Sequence, residues 1–69
     1  MTPEVSILLE QWADAEEALD LDLVQATVDL LKASDDPAVQ DQCGELLSGV
    51  YHYALDESQV RKLDKILNY

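Results

Sequence analysis

Covalent catalysis by a protein side chain needs a nucleophile held beside a base, with hydrogen-bond donors for the charge that develops. The chain holds one cysteine, Cys43, and one histidine, His52. They lie nine residues apart in a stretch whose apolar spacing predicts one helix. That spacing is two and a half turns, about 13 Å along the axis, too far for proton transfer. Cys43 therefore reads as a small core residue, and His52, between Tyr51 and Tyr53, as a surface or edge residue. Two Cys/His ligands fall short of the four that a structural zinc site uses. Asp35 and Asp36 lack the spaced oxygens and central glycine of a calcium loop, and no glycine-rich phosphate loop occurs. No cofactor, metal site or enzymatic activity is expected.

Carboxylates are the abundant chemistry. Fifteen acids face four bases, for a net charge of −11. Small domains stay soluble with about 2–8 units, so the excess invites a functional explanation. Residues 1–60 contain fourteen acids and a single base, Lys32, while Arg61, Lys62 and Lys65 cluster at the end. Such a charge opposes direct binding to nucleic acid or to an anionic membrane. Glu10, Asp14 and Glu17 fall at helical spacing on one predicted face, where like charges cost about 0.2–0.5 kcal/mol per pair. Asp20 and Asp22 extend that acidic half. The plain reading is a solvated face that keeps the protein soluble. The functional reading is a surface that docks on a basic groove of another protein and gains fast, salt-sensitive association.

The elements that must position these groups are helices. At 69 residues and 48% hydrophobic content, the expectation is a single domain over residues 1–69 with a small core. No strand-like alternation competes, and the expected class is all-α, a compact bundle of four short helices. Thr2-Pro3 is suited to start the first, with Val5, Leu8, Trp12, Ala15 and Leu19 on its inner face. The break near residues 19–23 has no Gly or Pro, so the first two helices could be continuous; otherwise Asp20 or Asp22 caps the second, Asp22 with Gln25 at capping-box spacing. Val24, Val28 and Leu31 form its seam, flanked by Leu23, Thr27 and Leu30.

Asp36-Pro37 is the clearest helix start. The third helix is predicted to carry Val39, Cys43, Leu46, Leu47, Val50 and Ala54 inward, with Gly44 and Gly49 inside it. Gly44 and Ser48 make a small-residue strip, read either as tight packing within the bundle or as the approach of a partner helix. Asp56 and Gln59 have capping-box spacing for the fourth, which turns Val60, Leu63, Ile66 and Leu67 inward.

Size, acidity and helix number resemble those of acyl carrier proteins. Asp20-Leu21-Asp22-Leu23 lacks the serine that family modifies, so the resemblance implies no carrier function.

Cysteine usage shows no disulfide framework, and the start of the chain has no basic or long apolar segment. The expectation is a soluble cytoplasmic regulator that binds another protein, most simply as an inhibitor. Its acidic contact face is Glu10, Asp14, Glu17, Asp20 and Asp22. The alternative is a subunit, adaptor or chaperone that packs through helices 3 and 4. Gly44, Ser48, Tyr51 and Tyr53 then form the contact, in a homodimer or with another chain; Tyr69 is a further aromatic candidate.

Overall fold

Three aspartates decide where helices begin. Asp20 Oδ1 accepts from the backbone N–H groups of Asp22 (2.9 Å) and Leu23 (3.3 Å) and opens one helix. Asp36 Oδ1 accepts from Ala38 N–H at 2.9 Å and opens the next, with Pro37 at its first position. Asp56 opens the last through a complete capping box: Gln59 N–H donates to Asp56 Oδ1 at 2.8 Å, and Asp56 N–H donates to Gln59 Oε1 at 3.0 Å. Each acid satisfies donors that a helix start leaves unpaired, and each meets the positive end of the helix dipole.

The computed structural model describes residues 3–15 and 17–68. It contains α1 (Pro3–Asp14), α2 (Leu21–Ala33), α3 (Pro37–Ser48) and α4 (Glu57–Leu67), with a 3-10 turn at Val50–His52 between the last two. The protein is an all-α bundle of four helices, with no strand among the described residues. Thr2, expected to cap α1, lies outside the described residues, as does Tyr69.

Two boundaries differ from the sequence expectation. The first helix stops at Asp14, so α1 and α2 are separate and Leu19 reaches the core from the connecting segment. The last turn of α1 has no basic residue, and acids crowd the negative end of its dipole. Asp20 wins the cap over Asp22, so the Asp22–Gln25 box does not form; Gln25 Nε2 donates instead to Asp29 at 3.0 Å. The third helix ends at Ser48, with Gly49 as its C-cap and not inside it. Gly49 is the poorest helix former in this stretch and Val50, Tyr51 and Tyr53 are only moderate ones, and the chain tightens into the 3-10 turn there. Val50 is still fully buried, whereas Ala54 is exposed.

Helix α2 is the centre of the bundle. It packs against α1, α3 and α4, and α1 also touches α3. Its buried residues are Leu23, Val24, Thr27 and Val28, a face shifted to place Thr27 inside. The main core joins Leu8, Trp12, Leu19, Leu23, Val24 and Val28 to Leu47, Val50 and Leu63. Full burial of a side chain such as Leu63 contributes about 1.5–3 kcal/mol. A smaller cluster of Val5, Val39 and Cys43 ties α1 to α3, and Leu30 and Leu31 pack against both clusters.

Candidate functional site

The five acids of the expected contact face are all exposed, but they do not share one helix face. Glu10 and Asp14 lie on α1. Glu17 lies beyond its end, so the expected stripe Glu10–Asp14–Glu17 is broken after Asp14. The end of α1 and the start of α2 instead bring Asp14, Asp20 and Asp22 around one open hollow of about 410 Å³. Gln11, Ala15, Leu23 and Ala26 complete its wall. Glu17 borders a different hollow, with His52, Tyr53 and Ala54. Asp20 serves twice, since the carboxylate that caps α2 also lines the acidic hollow.

None of these five acids forms an ion pair with a base among the described residues. Among the described residues the one ion pair is Arg61–Glu57, at 2.6 Å on the exposed side of α4. The acidic hollow therefore keeps its charge for solvent or for a partner.

The second candidate surface is also altered. Gly44 is exposed, and a methyl group built on it would meet nothing within 4 Å. Tight packing within the bundle is thus excluded as its reason. Ser48, exposed one turn on, donates its hydroxyl to the Glu45 carbonyl at 2.8 Å. Tyr51 is 55% exposed, and its hydroxyl donates to Asp64 Oδ1 at 2.7 Å, linking the 3-10 turn to α4. That hydrogen bond, then slight burial and the Asp64 charge, raise the phenol above its ordinary pKa. Tyr53 is half-buried against the main core and acts more as packing than as an exposed anchor. Gly44 and Ser48 belong to α3 while Tyr51 and Tyr53 lie beyond its end, so the four do not form a single helical strip.

Cys43 and His52 do not share a helix as expected. Cys43 is sealed in the smaller cluster, where burial pushes its thiol above the ordinary pKa, and His52 is exposed in the 3-10 turn. Among the described residues, no group of three or more His, Cys, Asp or Glu is arranged to hold a metal ion, and no helix is long and apolar enough to cross a membrane.

The composition hid one internal feature. Trp12 Nε1 donates to Thr27 Oγ1 at 3.0 Å, and Thr27 in turn donates to the Leu23 carbonyl at 2.8 Å. Fifteen residues separate Trp12 from Thr27, so helical periodicity within one element could not reveal the bond.

No protein-family model matches the chain, and comparison with curated proteins and with solved structures returned no match.

Proposed function

We propose that this chain is a non-catalytic, cytoplasmic regulator that binds another protein and inhibits it by occupying a basic surface, such as a nucleic-acid-binding groove. One observation carries the reading: Asp14, Asp20 and Asp22 border a single hollow, exposed and without a neutralising ion pair. Concentrated like charge costs stability within the chain and is returned when a cationic partner covers it. Phage-encoded inhibitors and toxin-neutralising proteins use electrostatics of this type.

The test is capture of a basic partner from the native host on the immobilised chain, followed by elution in salt steps and measured affinities. Moderate salt should release the partner, and nucleic acid should compete with the chain for it. Reversing Glu10, Asp14 and Asp22 to lysine should weaken binding by on the order of tenfold or more, since Asp14 and Asp22 border the hollow and neither caps a helix. Binding that survives both high salt and the triple reversal would sink the reading.

A second reading has its own observation. An exposed glycine in mid-helix costs about 1 kcal/mol relative to alanine, and Gly44 gains no internal contact in return. A partner backbone close to α3 would account for it. The chain would then be a subunit, adaptor or chaperone in a homo- or hetero-oligomer, with Gly44, Ser48, Tyr51 and Tyr53 at the contact. Gly44→Leu should abolish that assembly at any salt concentration.

A further inference from the structure

The cations of this protein are concentrated on α4, and two of them border a groove. Lys62, Lys65 and Ile66 of α4 face Leu21, Asp22 and Gln25 of α2 across a shallow, mostly apolar depression of about 360 Å³. Leu21 and Ile66 are half-buried and continuous with the main core, so the floor is apolar. Asp22, Lys62 and Lys65 stand exposed on the rim with no ion pair to each other or to any other described residue.

From this groove we infer that a second copy of the same chain docks along the α2–α4 edge, the Asp22 of each copy meeting the Lys62 and Lys65 of the other. The argument is one of charge. Each copy carries −11, so an approach over most of the surface sets acid against acid. The α2–α4 edge offers both signs beside apolar floor. A two-fold interface needs a patch that complements itself, in which residue i meets j and j meets i. Asp22 on one wall and the two lysines on the other satisfy that condition, with Leu21 and Ile66 as the apolar centre. A partner carrying only acids would meet Asp22, and one carrying only bases would meet both lysines. At physiological ionic strength the Debye length of about 8 Å mutes the long-range repulsion but leaves contact pairs effective. The acidic hollow and this groove are separate depressions that share only the start of α2, and this inference does not rest on the inhibitor reading.

The test measures mass by light scattering and sedimentation over a range of concentrations, with helix content of every variant checked by circular dichroism. The 7.7 kDa chain should approach twice its mass as concentration rises. The double reversal Lys62→Glu with Lys65→Glu should weaken dimerisation by on the order of tenfold or more, and Asp22→Lys should do likewise. Combining all three substitutions should restore the dimer, an outcome that altered folding alone would not produce. Gly44→Leu should leave it intact. A chain that is monomeric throughout, or a dimer insensitive to the reversals and lost with Gly44→Leu, overturns the inference.

Discussion

Trp12 and Thr27 are joined inside the bundle by a hydrogen bond from the indole N–H to the threonine hydroxyl, 3.0 Å long. Thr27 is completely buried, the single buried polar residue among those described, and its own proton goes to the Leu23 carbonyl. The bond ties α1 to α2, because a buried indole N–H left without an acceptor costs free energy.

Thr27→Val keeps the shape and removes the acceptor. The indole N–H is then buried without a partner, at a cost of about 1–3 kcal/mol. Denaturant unfolding, followed by the helical circular dichroism signal so that the readout does not depend on the sole tryptophan, should show the loss. In Trp12→Phe the donor is already gone, so adding Thr27→Val there should cost measurably less. Equal costs in both backgrounds would mean that the hydrogen bond contributes nothing.

Asp20 and Asp22 stand two residues apart on the same acidic rim, yet only Asp20 caps α2. Asp20→Ala should destabilise the fold by about 0.5–2 kcal/mol. Asp22→Ala, which removes the same charge without a cap hydrogen bond, should fall within about 0.5 kcal/mol of the parent. Thermal melts of the two variants separate capping from charge; a reversed order would reject the assignment.

Gly44→Ala should stabilise the isolated chain by up to about 1 kcal/mol, since the added methyl group enters open space on a helix. A destabilised variant in chemical denaturation would mean that something already occupies that space.

Tyr51 should ionise above the ordinary tyrosine range, because its proton is held by Asp64. A raised folded-state pKa stabilises the fold at pH values below the unfolded pKa of about 10, and that contribution is lost as pH climbs through the folded value. Subtracting the phenolate absorbance titration of Tyr51→Phe from that of the parent isolates this group. Asp64→Asn should bring it back toward the ordinary range; no change would remove Asp64 as the cause.

Helix starts were legible in the sequence wherever local chemistry decides them. Asp36-Pro37 and Asp56 with Gln59 carry their own acceptors and spacing, and both act as expected. The end of α1 was not legible, because no breaker residue marks it and alanine and glutamate tolerate helix. It stops where acids meet the negative end of the dipole and where Leu19 can still be buried. Val50 misled in the opposite way: it is buried at a spacing that a longer α3 would also satisfy, although a 3-10 turn delivers it. As for the candidate surfaces, charge and residue type were visible, but grouping was not. Asp14, Asp20 and Asp22 come together because the end of α1 and the start of α2 border one hollow, while Glu17 borders another.

The central place of α2 gives the chain an indivisible architecture. The other three helices each rest on it, while Leu30 and Leu31 couple the two apolar clusters. A cut through α2 would leave fragments with amphipathic helices and no surface to cover them. The outer helices can fray individually while the centre persists, so backbone amides in the middle of α2 should exchange with solvent only through global opening.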